Sequence, residues 1–202
     1  MIDAAEALAR LRDGNRRFVA GDLTDQALSK KEMRALAVDQ APFAIILGCA
    51  DSRVPAELVF DQGFGDLFVI RVAGNIVAPS QVGSVEFAAS RYNTKLVVVM
   101  GHSNCGAIVA AVEELLDGAS NESRNLRSIV DRVRPAVNTA IAGRRDSDRK
   151  TLIRDAVIAN VRASVDHLRH GSALLEDLVQ NNGLVIVGAK YSLDTGVVTF
   201  LD

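Results

Sequence analysis

The stretch KLVVVMGHSNCG, residues 95–106, sets five apolar residues in a row, stops at a glycine, and then places a histidine and a cysteine three positions apart. An apolar run of this length without polar alternation reads as a strand covered on both faces. Three further segments read the same way: FAIILG (43–48), DLFVIRV (66–72) and GLVIVGAKY (183–191). Strands buried on both sides belong to a parallel sheet with helices on each face. The helices are expected in PSQVGSVEFAASRY (79–92), GAIVAAVEELLDG (106–118), KTLIRDAVIANVRASVDHLRHG (150–171) and SALLEDLVQNNG (172–183), the last ended by the stop signal NNG. A closing GVVTFLD, after the turn LDTG, is expected to pair antiparallel at the sheet edge. The predicted fold class is therefore α/β, a central mostly parallel sheet of about four parallel strands plus an antiparallel edge strand, flanked by helices.

Upstream of the sheet, residues 4–19 carry Ala5, Leu8, Leu11 and Phe18 at helical spacing, with Gly14 as an interruption. LSKKEMRALAVDQ (28–40) reads as a second helix opened by Ser29. Both are too amphipathic to stand alone, and they are expected to pack across a second subunit. No repeat or Pro/Gly-rich linker divides the chain, so residues 1–202 are read as one domain, a helical arm (1–40) and an α/β core (41–202). Segment 121–150, rich in Ser, Asn and Arg and containing Pro135, is expected to be helical in pieces.

Composition narrows the function. Apolar residues make up 49% of the 202, enough for a continuous core, and 23 basic against 25 acidic residues give a net charge of -2 without a run of five or more like charges. Nucleic acid is not an expected partner. The apolar runs are far short of the roughly 20 residues that cross a bilayer, so no membrane association is expected. The opening MIDAAEALARLRD lacks the basic start and apolar stretch of a secretory signal. A cytoplasmic location is expected, where the two cysteines stay reduced.

In open parallel sheets, functional groups gather at the carboxyl ends of strands. One such end carries Cys49, Asp51 and Arg53, in ILGCADSRVP (46–55); the other carries His102 and Cys105. Alone, a strand-end cysteine is an inert small hydrophobe and a strand-end histidine a hydrogen-bonded loop residue. Together, His102 and Cys105 at the start of a helix can direct both donors at one metal, with Cys49 as the third protein ligand. Two thiolates and an imidazole suit zinc better than magnesium, calcium or manganese, and a fourth position stays open for water. Arg53 can hold Asp51 bidentately, keeping it ionised beside that water; the plainer reading of this pair is a loop salt bridge. His167 and His170 lie at the end of the long helix, where its carboxyl terminus favours positive charge.

CADSRV followed some fifty positions later by GHSNCG resembles the β-class carbonic anhydrases. The likeness runs on through GDLFVIRVAGNIV, GSVEFA and GAKYSLDTGVV, covering residues from about 40 to the end. The resemblance implies zinc-dependent, reversible hydration of carbon dioxide to bicarbonate and a proton. It implies one zinc per subunit on Cys49, His102 and Cys105, with Asp51 and Arg53 as the dyad that orients zinc-bound hydroxide. It further implies that Gln40 hydrogen-bonds substrate from a partner subunit, in a homodimer or higher homo-oligomer. Phe68, Ala73 and Phe87 match pocket positions, Ala73 and Phe87 differing from a common valine and tyrosine, and Gly106 matches the glycine after the second zinc cysteine. A subset of the family closes its site with the aspartate and binds bicarbonate at a regulatory pocket of tryptophan, arginine and tyrosine. Arg71 and Tyr191 match two of these, but Ile46 stands at the tryptophan position, so the open, water-bound form is expected. Three other readings stay open: hydrolysis of a carbon dioxide analogue such as carbon disulfide, a catalytically silent zinc protein, and a redox dithiol formed by Cys49 and Cys105.

Overall fold

The computed structural model describes residues 2–118, 123–142, 144 and 147–201. Five strands form one sheet: β1 (Ala44–Gly48), β2 (Leu67–Arg71), β3 (Leu96–His102), β4 (Val185–Tyr191) and β5 (Val198–Leu201). Their order across the sheet is β2-β1-β3-β4-β5. The first four run parallel and β5 pairs antiparallel with β4, as the apolar runs predict.

Alternate residues of the central strands feed two cores. Ile46, Val98 and Met100 face one side, packed with Ala7 and Leu11 of helix α1 (Ala4–Ala20) and with Val59 of the short helix α3 (Ala56–Val59). Ile45, Leu47, Val97 and Val99 face the other side. There they meet Val85 of α4 (Pro79–Arg91), Val161 and Leu168 of α7 (Arg149–His170), and Leu175 of α8 (Ala173–Asn181). Each such side chain, fully withdrawn from water, contributes about 1.5–3 kcal/mol. A third cluster joins α5 (Gly106–Asp117), α6 (Arg124–Ile141) and α7 around Cys49 and Cys105. No helix among the described residues is long and apolar enough to cross a membrane.

Two expectations are corrected. α1 runs unbroken through Gly14, because that glycine is where the helix meets its neighbour: a Cβ there would lie 1.8 Å from the Phe60 carbonyl oxygen. Next to it, Asn15 donates to the carbonyls of Val59 (3.0 Å) and Gly196 (2.9 Å) and accepts from the Val198 N–H (2.8 Å). α1 is thus part of its own chain's core. α2 (Lys30–Leu36) is different: Ser29 and Glu32 close a capping box on it, yet none of its residues is buried within the chain.

The second correction concerns 121–150. Residues 121, 122, 143, 145 and 146 lie outside the described ones, but α6 between them is a single helix despite Pro135. Val130, Val133, Ala136, Val137 and Ile141 recur at helical spacing and are all buried, and this apolar face outweighs the hydrogen bond that the proline lacks.

Candidate metal centre

β1 and β3 are neighbours in register, Gly48 opposite Met100, and their connections leave in opposite directions across the sheet. A crevice opens at such a switch point. Cys49 follows β1 directly, His102 ends β3, and Cys105 caps the N-terminus of α5. The sulfur and nitrogen atoms of Cys49, His102 and Cys105 all lie within 4.8 Å of one another, and all three residues are buried. The two sulfurs are 3.9 Å apart, and both thiols are free.

His102 Nδ1 lies 2.9 Å from the Ser103 carbonyl oxygen. A carbonyl only accepts, so Nδ1 carries the hydrogen and Nε2 presents a bare lone pair. That Nε2 is buried without a hydrogen-bond partner among the described residues. An orphaned polar atom in the interior is costly, and a bound cation relieves it. The loop is fixed from β4: Ser103 N–H donates to the Tyr191 carbonyl (2.9 Å) and Ser103 Oγ accepts from the Leu193 N–H (2.9 Å).

The two sulfurs act on each other, and either thiol can be the donor between them. The Cys105 thiol directed at Cys49, with help from His102 and the backbone N–H groups of Asp51 and Gly74, holds Cys49 well below the usual thiol range. Cys49 and burial push Cys105 up. Two sulfurs sharing one proton are a pair that a divalent ion can take over, and soft sulfur with imidazole nitrogen suits a borderline-soft ion.

Arg53 grasps Asp51 with its Nε and Nη2, and this hydrogen bonding holds the Asp51 carboxyl well below the ordinary carboxylate range. Asp51 Oδ2 stands 3.8 Å from His102 Nε2, so the carboxylate borders the metal cluster. Behind it, Arg71 at the end of β2 donates to the carbonyls of Cys49 (3.0 Å) and Asp51 (2.5 Å). The resemblance matches Arg71 to a regulatory pocket; in the structure its guanidinium braces the loop that carries Cys49 and the Asp51 carboxylate.

The carbonic anhydrase family model matches residues 44–198. The chain belongs to the β-carbonic anhydrase family. Carbonic anhydrase 2 of Mycobacterium tuberculosis is 40% identical over 186 residues, 92% of this chain and 87% of its own length. Among solved structures, the β-carbonic anhydrase CcaA shares the fold with a TM-score of 0.80, at 23% identity over 96% of this chain and 95% of its own. One of two tetrameric β-carbonic anhydrases from Sordaria macrospora has a TM-score of 0.75 and 25% identity, covering 84% of this chain and 85% of its own. As a carbonic anhydrase, the chain is a lyase.

The remaining residues that β-carbonic anhydrase likeness singles out fall in two places. Ala73 opens a short 3-10 turn, Ala73–Asn75, that abuts the start of α5, where Gly106 follows Cys105. Gln40, Phe68 and Phe87 gather around Tyr92 near β2, the edge strand. Gln40 Nε2 donates to the Tyr92 hydroxyl at 2.9 Å, and the three rings have centroids 5.9–6.2 Å apart. Phe87 is 53% exposed. Ile46 is fully buried in β1, and Tyr191 is buried beside Phe18. Sequence reasoning missed Gly74, whose N–H points at Cys49 Sγ (3.4 Å), and Asn160, which holds the Gly74 carbonyl. A buried-polar residue in the middle of an apolar helix is the one signal that could have found Asn160.

Proposed function

We propose that the chain catalyses the zinc-dependent, reversible hydration of carbon dioxide to bicarbonate and a proton. The observation that carries this reading is the convergence of Cys49, His102 and Cys105, with His102 Nε2 left unpartnered, beside an aspartate gripped by arginine. Two sulfurs and a nitrogen fit zinc, and three protein donors leave one of its four positions to solvent. A zinc ion held there supplies a nucleophile at neutral pH by acidifying the water it binds.

The rest is done by the chain's own residues. Asp51, kept ionised by Arg53, is an acceptor only; it would accept a hydrogen bond from the O–H of the nucleophile at a carboxylate oxygen, leaving the proton in place, and so turn a lone pair towards the substrate carbon. Both Asp51 oxygens are engaged by the Arg53 fork, which would disfavour their replacing water on a metal held by the cluster and so supports the open form. Ala73 contributes apolar surface beside the metal centre, where Gly106 leaves room next to Cys105, while Phe68 and Phe87 contribute theirs from the group around Gln40, towards the site of a partner subunit. Gln40 donates to a substrate oxygen in the site of a partner subunit, within a homodimer or larger homo-oligomer. Two buried free thiols fit a reducing compartment, and we assign the chain to the cytoplasm.

The test is stopped-flow carbon dioxide hydration on protein of measured zinc content, with carbon disulfide as the alternative substrate. Activity should rise in proportion to zinc, up to one ion per chain, and vanish with a chelator. Turnover of carbon disulfide alone, or hydration indifferent to metal content, would overturn the proposal.

A further inference from the structure

α7 is the longest helix among the described residues, and none of its residues was expected at the site. Asn160 lies at its middle, 3% exposed, beside buried Ala156, Val157 and Val161. Asparagine is a poor helix former, and its amide is costly to bury unless bonded. Here the bond is specific: Asn160 Nδ2 donates to the Gly74 carbonyl at 2.9 Å. One turn further along, Ser164 Oγ donates to the Asn75 carbonyl at 3.4 Å.

Gly74 in turn touches the metal cluster. Its own N–H faces Cys49 Sγ at 3.4 Å, and it adopts φ +70°, where a Cβ would lie 2.9 Å from that of Ala107 on α5. The turn therefore sits between the two cysteine-bearing segments, with Gly74 in the left-handed region that suits glycine and Asn75 after it at φ +43°, which a non-glycine residue seldom adopts. α7 also packs on the end of β3: Val161 fills the space beside Gly101, 2.6 Å from where a Cβ would stand.

We infer that Asn160 is a positioning residue for the metal centre: by fixing the Gly74 turn, it aims the Gly74 N–H at Cys49 Sγ. An N–H donated to a thiolate draws negative charge from the sulfur and fixes its direction. In a site with two thiolates, that withdrawal leaves a bound metal more of its charge with which to act on solvent. This inference rests on the metal reading given above, and its test separates the two.

Cobalt and cadmium serve as probes. In the cobalt-loaded protein, Asn160→Ala and Asn160→Leu should move the sulfur-to-cobalt charge-transfer band to longer wavelength, because the sulfur becomes richer in charge. Zinc affinity, by competition with a chelator, should fall about tenfold. Val165→Ala, which trims the same helix further from the Gly74 turn without removing a hydrogen bond, should leave the band in place. Asn160 variants with a wild-type band and affinity would refute the assignment. Should neither variant fold, the wild-type protein loaded with cadmium-113 decides. The Gly74 amide proton should show a scalar coupling to the metal, and an Asn160 side-chain amide proton should be protected from exchange. Lack of either overturns the inference alone; a chain that binds neither cobalt nor cadmium takes the metal reading down with it.

Discussion

Arg53 holds both oxygens of Asp51, Nε on Oδ1 at 2.9 Å and Nη2 on Oδ2 at 2.7 Å, although the two residues are only two positions apart. The Arg53 N–H adds a third bond to Oδ1 at 3.0 Å, closing a tight turn that points the carboxylate at His102. Asp51→Ala should lower kcat/KM by about 100-fold or more while zinc content stays at one per chain. Arg53→Lys, which keeps the charge and loses the fork, should fall between the two. Steady-state kinetics with metal analysis on the same samples decides this.

The dyad also sets a pH dependence. The Asp51 carboxyl is depressed by the Arg53 hydrogen bonds, so its contribution to stability is complete above the unfolded value of about 3.9 and fades only as pH falls towards its folded value. The gap in thermal midpoint between the wild type and Asp51→Asn should hold from pH 7 to about 4 and close below that. Two thiolates cancel the formal charge of zinc, so hydration should climb with pH through neutrality. A profile flat between about pH 6 and 9 would contradict that account.

Arg71 ties the carbonyls of Cys49 and Asp51 to the end of β2. Lysine there carries the charge but cannot span both oxygens in a fixed plane. Arg71→Lys should reduce kcat by about tenfold with the fold intact, read by circular dichroism beside the kinetics.

Phe87, 53% exposed, meets Phe68 at a tilt and Tyr92 edge-on, next to Gln40 on the side of β2, the edge strand of the sheet among the described residues. If a second chain covers this group, Phe87→Asp should weaken assembly by about tenfold or more. Sedimentation velocity should then show a monomer that still binds zinc and hydrates carbon dioxide poorly. Unchanged assembly would remove the group from the interface.

Gly14→Ala should destabilise the protein by about 1–3 kcal/mol or more, because the added methyl meets the Phe60 backbone oxygen rather than a movable side chain. Urea titration measures it. Helix propensity alone predicts the opposite sign.

The sheet was legible because β1 and β3 are buried on both faces and their residues have no polar alternation to hide. Helix ends were legible where a cap is chemical: Ser29 on α2, and Pro79 at the first position of α4. The candidate metal ligands stood out because the chain has only two cysteines and both follow strands. What stayed hidden depends on contacts distant in sequence. Pro135 and the polar residues around it obscured α6, whose continuity comes from packing on α5 and α7. Arg71 and Asn160 act through backbone carbonyls, which any sequence offers everywhere, so nothing in the letters marks their targets.

The seat of α1 on the Phe60 carbonyl has a consequence for how this protein would look in a saturation mutagenesis experiment. Position 14 holds a hydrogen where every other amino acid brings at least a carbon, so all nineteen replacements would score as damaging, side by side with Cys49 and His102. Activity alone would rank it with the chemistry. Only an assay of protein abundance would reveal that Gly14 is intolerant because it keeps a distance.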